Sequence, residues 1–139
     1  MLLMPKRVKY RKTQKGKNRG VATKGNQMHF GEYGLKAIEN GLIPSRQLEA
    51  SRVVVASKLR GSGKLWIMAF PHKSVTKKPA ETRMGKGKGD LSHWVAPVKR
   101  GKVVMELGGV PEDFAKQVLR LVAFKLSVKT KFITREGIH

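Results

Sequence analysis

The stretch with the clearest chemical content is Arg83-Met84-Gly85-Lys86-Gly87-Lys88-Gly89, where glycine alternates with cation. Glycine lets a backbone come close to a phosphate, and the lysines between supply the neutralising charge. A free nucleotide or the backbone of a nucleic acid could use such a run. No Gly-Lys-Ser or Gly-Lys-Thr occurs, and Gly85, Gly87 and Gly89 do not form the dinucleotide fingerprint between a strand and a helix, so the nucleotide reading is the weaker. Catalytic constellations are otherwise thin. His29, His72 and His93 are scattered, with no metal spacing and no nucleophile partner, and read as surface or RNA-facing residues. Glu81, inside the cationic stretch, reads as a partner that orders the loop through Arg83 or a lysine rather than as a general base. The chain has no cysteine, which removes disulfides, thiolate metal sites and a cysteine nucleophile together. Neither enzymatic activity nor a cofactor or metal is expected.

A second cationic stretch runs from Lys6 to Lys24 (KRVKYRKTQKGKNRGVATK), ahead of the first acidic residue, Glu32. Val8 and Tyr10 sit among Lys6, Arg7, Lys9, Arg11 and Lys12, so an extended chain offers charge together with an aromatic plane for stacking. Residues 5–24 reach up to ~65 Å when extended at about 3.3 Å per residue, enough to thread between nucleic-acid helices. Across the 139 residues, thirty Lys and Arg face nine Asp and Glu, a formal charge of +21. A polyanionic partner is the natural counterweight. No run approaches the ~18 apolar residues of a membrane-spanning helix, and the basic residues are not confined to one amphipathic face, so nucleic acid is favoured over a membrane. The start, Met1-Leu2-Leu3-Met4-Pro5, has too short an apolar run for a secretory signal, and an intracellular protein is expected.

The elements that must position these stretches are those of one α+β domain. The expectation is an extended basic arm over residues 1–27 and a globular domain over 28–139 with a protruding loop at 71–90. A short strand is expected near Met28 to Phe30. Pro44 and Ser45 start a helix, with Leu48, Val55 and Leu59 at helical spacing and Gly61 and Gly63 as the stop. Lys64 to Phe70 (KLWIMAF) is a continuous apolar run ended by Pro71, read as a strand buried on both faces, with Trp66 and Trp94 as core residues. An irregular stretch follows, then a strand near Trp94 to Val98. A hairpin turn at Lys99-Arg100-Gly101-Lys102 leads to a strand over Val103 to Leu107. Pro111, Glu112 and Asp113 open a second helix whose buried face is Ala115, Val118, Leu119, Val122 and Leu126. A last strand at Val128 to Ile133 completes two helices covering one face of a mostly antiparallel sheet. Met68, Met84 and Met105 form no stripe.

In order along nearly the whole chain, PKRVKYRK (5–12), FGEYGL (30–35), SRQLEA (45–50), GKLWI (63–67), VTKKPAETRMGKGKG (75–89), GVPED and KTKF resemble the bacterial and organellar large-subunit ribosomal protein L-sixteen family. The segment at 75–89 is the most specific. The resemblance implies a hammerhead-like α+β domain that binds large-subunit rRNA near the peptidyl-transferase centre, helps shape the aminoacyl-tRNA site and aids late subunit assembly. A free, chromatin-like nucleic-acid-binding protein is the alternative. On the family's pattern, rRNA contacts fall to Lys6, Arg7, Lys9, Tyr10, Arg11, Lys12, Lys15, Lys17, Arg19, Lys24 and Arg46. A loop facing aminoacyl- and peptidyl-site tRNAs would comprise Lys77, Lys78, Arg83, Met84, Gly85, Lys86, Gly87, Lys88 and Gly89, with Arg83 a candidate for hydroxylation. Neighbouring large-subunit proteins are the further partners, in the bacterial cytoplasm or an organellar matrix or stroma. The chain departs from the family at Ser57, Gly61 and Met68, where a basic residue is usual.

Overall fold

Two prolines set the helix starts. Pro44 and Pro111 both hold extended backbone (φ −61 and −64) immediately before a helix. The computed structural model describes residues 20–22, 25–77, 90–135 and 137–138. Along them run β1 (Tyr33–Ala37), β2 (Gly41–Pro44), α1 (Ser45–Leu59), β3 (Lys64–Ile67), β4 (Lys73–Lys77), β5 (Asp90–Val98), β6 (Val103–Gly108), α2 (Glu112–Ala123), β7 (Thr130–Thr134) and β8 (Gly137–Ile138). In α2 the acids Glu112 and Asp113 meet the positive end of the helix macrodipole, and Ala115, Val118, Leu119 and Val122 form the buried face. In α1 the buried face is Leu48, Ser51, Val55 and Leu59. Of its consecutive valines, Val55 is buried and Val53 is exposed, so one face pattern overrides the β-branched run. The helix ends at Arg60, which adopts the left-handed conformation (φ 50) and donates its N–H to Ala56 O at 3.2 Å.

The strands form two sheets rather than the single one expected. The first is five-stranded, in the order β3-β6-β1-β7-β8; the second is three-stranded, β2-β5-β4; every pairing is antiparallel. The expected strand at Met28 to Phe30 is displaced to Tyr33–Ala37, because the backbone of residues 29–31 is bonded to a side chain instead. The Lys99–Lys102 turn closes as expected, with Lys102 N–H on Lys99 O at 3.0 Å, but it joins no hairpin. β5 and β6 belong to different sheets, and the turn is fastened by partners distant in sequence: Gly101 N–H on Ala37 O (2.8 Å) and Arg100 N–H on Asn40 Oδ1 (2.7 Å). The irregular stretch is shorter than expected, since Lys73–Lys77 and Asp90–Val98 pair as β4 and β5.

α2 packs on β1, β7 and α1, while α1 reaches both sheets through β2, β3 and β5. One apolar cluster joins them, including Leu35, Ile43, Leu48, Val55, Val98, Met105, Leu107, Val118, Leu119 and Val122. Each large side chain fully removed from water contributes on the order of 1.5–3 kcal/mol. β6 is buried along its whole length. A bulge opposite Leu35 and Lys36, which pair with Met105 and Val103, leaves Val104 without a β1 partner; Val104, Met105 and Leu107 all join the core cluster. The opposite face carries Glu106, which holds the backbone of residues 29–31 against it. β3 is an edge strand whose side chains are exposed or half-buried, so KLWIMAF is not buried on both faces as its composition suggested.

Candidate nucleic-acid interface

A carboxylate inside an apolar strand must find donors or change its protonation. Glu106, fully buried in β6, finds three: its Oε1 accepts the backbone N–H groups of His29 (3.0 Å), Phe30 (2.9 Å) and Gly31 (2.9 Å). Three successive amides converging on one oxygen fasten this segment across the outer face of the sheet. Gly31 is required for the approach, because a Cβ there would lie 2.8 Å from Leu107 O and 2.9 Å from Leu107 N. Next to the clamp, Phe30 stacks on Trp66 with ring centroids 6.0 Å apart and planes 17° apart, and it remains 56% exposed. Lys64 Nζ stands 5.6 Å from the Trp66 ring. Trp94 is a core residue, as expected; Trp66 is half-buried and lies under Phe30, which corrects its reading as core.

Several acids among the described residues have internal tasks. Glu39 accepts the Lys129 N–H at 2.9 Å, Glu106 holds the clamp, and Glu112 and Asp113 serve α2. Glu49 is bonded to Arg52, whose guanidinium holds the Glu49 carboxyl below its ordinary pKa and is itself pushed up. Cations meanwhile lie exposed on many elements: Arg46, Lys58 and Arg60 at α1, Lys64 on β3, Lys99 and Arg100 at the crossover, Lys116 and Arg120 on α2, and Lys129, Lys131 and Arg135 around β7. The positive charge is therefore not cancelled within the fold, and the surface suits a polyanion.

Of the residues singled out in the sequence, Arg46 lies exposed in the first turn of α1. Lys77 ends β4, with its Cα paired to that of Asp90. This pair is the base of the Gly-Lys loop. β2 pairs only with the second half of β5 (Val95–Val98), so the first half has β4 as its one neighbour and forms a two-stranded ribbon ending at the loop. Lys78, Glu81, Arg83, Met84, Gly85, Lys86, Gly87, Lys88 and Gly89 lie outside the described residues, as do Lys6, Arg7, Lys9, Tyr10, Arg11, Lys12, Lys15, Lys17, Arg19 and Lys24. Between arm and domain, Val21 bridges to Arg100, Ala22 N–H bonds Arg100 O at 2.8 Å, and Gly25 O accepts Val103 N–H at 2.8 Å. His29 and His72 are exposed, and His93 is half-buried on β5. Among the described residues no group of three or more His, Cys, Asp or Glu could hold a metal, and no helix is long and apolar enough to cross a membrane.

The clamp and its aromatic pair were missed in the sequence. The signal was there: Glu106 is the one acid in the strand VVMELG, and a buried acid implies a set of donors.

Comparison with known proteins agrees with this basic scaffold. Residues 5–133 match the family described as ribosomal protein L16p/L10e. Relatives named large ribosomal subunit protein uL16, from Listeria welshimeri, Listeria monocytogenes and Listeria innocua, are each 54% identical over 137 residues, covering 99% of this chain and 95% of the relative. A ribosomal protein is thus the class that fits the fold and its charge. The chain belongs to the L16p/L10e family. Of its departures from the family pattern, Ser57 and Gly61 are exposed at the end of α1, and Met68 is half-buried just after β3.

Proposed function

We propose that this chain is a structural constituent of the large ribosomal subunit, binds large-subunit rRNA and helps shape the aminoacyl-tRNA site. Family membership and relatives named as large-subunit proteins support the assignment to that subunit. The observation that carries the finer reading is the β4–β5 ribbon, which holds the Gly-Lys loop at the end of paired strands rather than on a slack connection. In this reading the arm, organised as residues 1–27, threads into rRNA, and the globular body over residues 28–139 docks beside it. The loop faces the aminoacyl- and peptidyl-site tRNAs close to the peptidyl-transferase centre, and Arg83 is open to hydroxylation. Neighbouring large-subunit proteins complete the partners, and late subunit assembly depends on the docked body. The likeness to bacterial relatives favours a bacterial ribosome in the cytoplasm over an organellar one.

The chemistry assigns the two residue types in the loop different roles. Gly85, Gly87 and Gly89 allow close backbone approach, and Arg83, Lys86 and Lys88 supply charge. The test is tRNA binding to the aminoacyl site of large subunits reconstituted with loop variants, normalised to the protein incorporated. Replacing lysines with alanine should weaken binding in graded steps; replacing glycines with valine should abolish accommodation while incorporation persists. Normal accommodation by the glycine variants would withdraw the tRNA role and leave the loop an rRNA contact. Sedimentation with chromosomal DNA in place of large subunits would overturn the assignment to the ribosome.

A further inference from the structure

We infer that the Phe30–Trp66 stack is a docking platform for a single unpaired base of RNA. The inference rests on the RNA-binding reading above and concerns residues other than those of the arm and the Gly-Lys loop. Phe30 and Trp66 form an offset, near-parallel pair, with ring centroids 6.0 Å apart and planes 17° apart. With 56% of the residue exposed, Phe30 is accessible to solvent. A near-parallel, solvent-accessible aromatic pair accepts a further flat ring stacked against it, and purine and pyrimidine bases are the flat rings an RNA supplies. His29 meets Phe30 edge-on at 6.4 Å and 67°, bordering the platform on one side.

The support beneath is unusually firm for an exposed aromatic. The amide of Phe30 and those on either side of it are held by the buried Glu106 Oε1, so the ring is presented by an ordered backbone and little conformational entropy is lost when a base docks. The surroundings choose between occupants. An apolar side chain of a protein partner would want an apolar rim, whereas here a cation, Lys64 Nζ, stands 5.6 Å from the Trp66 ring, and cations meet the phosphates of a bound RNA. The chain's +21 charge favours the same occupant.

The test uses the full chain and two RNA strands of equal length: oligoadenylate, and the same sugar-phosphate strand without bases. A reporter is placed on the platform by Phe30→Trp in a chain whose two native tryptophans are replaced by Trp66→Phe and Trp94→Phe. Its emission should be quenched by oligoadenylate and unaffected by the abasic strand. In the otherwise native chain, Phe30→Ala should reduce oligoadenylate affinity on the order of tenfold, as expected for one stacked base, and leave abasic affinity unchanged. Phe30→Tyr should retain the preference, and Phe30→Leu, which keeps apolar bulk without a ring, should lose it. Equal weakening of both strands by Phe30→Ala, or none, would overturn the platform while RNA binding stands. Failure of the native chain to bind either strand would overturn the RNA reading along with it.

Discussion

The two sheets put charge to opposite uses. In the five-stranded sheet the central strand β6 is buried along its length, and its one acid binds the protein's own backbone amides. In the three-stranded sheet β5 outruns β2, and the ribbon it makes with β4 leads into Lys77, Lys78, Arg83, Lys86 and Lys88. Glu106 ties the chain to itself, whereas the bases that follow the ribbon in sequence have the composition of a phosphate-binding segment. Substitutions in the first sheet should therefore be felt as stability, and substitutions at the end of the ribbon as binding.

The largest expected effect is at Glu106. Glu106→Ala strands three amides that now share one acceptor, and should lower unfolding free energy by roughly 3–5 kcal/mol in a urea titration. Glu106→Gln keeps an acceptor without the charge and should cost about 1–2 kcal/mol. Gly31→Ala, whose Cβ would lie 2.8 Å from Leu107 O, should also destabilise, by roughly 1–3 kcal/mol. By contrast Lys86→Ala and Lys88→Ala should stay within about 0.5 kcal/mol of the native stability. Their effect should appear in the salt dependence of RNA binding, each lost phosphate contact reducing the slope by about 0.9. A Glu106→Ala protein of native stability, or a lysine variant that unfolds easily, would erase the contrast.

How much of this could be read in advance depended on whether the deciding contact was local. α2 was legible because its whole specification lies in one stretch: Pro111, two acids in the first turn, and apolar residues at 115, 118, 119 and 122; only Leu126 falls beyond its end, half-buried. α1 was legible because its face pattern and glycine stop outweighed Val53 and Val54. Strand partnership was not legible. Lys99–Lys102 has the composition of a hairpin turn, yet Asn40 and Ala37, some sixty residues earlier, hold it as a crossover between sheets. The same limit governed the interface. Arm and loop declare themselves by composition, whereas Phe30 and Trp66 meet only because β3 pairs with β6 and Glu106 draws residues 29–31 across. The bulk of KLWIMAF suggested a central strand, but its place at the sheet edge left Trp66 half-open.

A smaller effect is expected where α1 stops. Arg60 is the one non-glycine residue with positive φ among those described, at 50°. Its side chain adds steric cost in the left-handed region that glycine avoids. Arg60→Gly should stabilise the protein by about 0.5 kcal/mol, the relief being partly offset by the greater freedom of glycine in the unfolded chain. Thermal unfolding checks this, and a destabilised variant would mean that the Arg60 side chain makes a contact worth more than the strain.

The smallest effect tests the division of charge at the ion pair on α1. Glu49 and Arg52 are bonded on the surface of α1, and this hydrogen bond, followed by their attraction, holds the carboxyl below its ordinary value of 4.5. A depressed folded-state pKa contributes stability above the unfolded value and loses it as pH falls through the folded one. At a solvent-screened site that contribution should be too small to move the unfolding midpoint at neutral pH. The readout is the Glu49 side-chain NMR titration: its midpoint should lie below 4.5 in the native chain and rise in Arg52→Gln. If Glu49 is committed to its internal partner, adding RNA should leave this midpoint low, because Arg52 stays with Glu49. A midpoint that rises on RNA binding would show Arg52 drawn away to phosphate, and the separation between internally paired and partner-facing charge would fail at this helix.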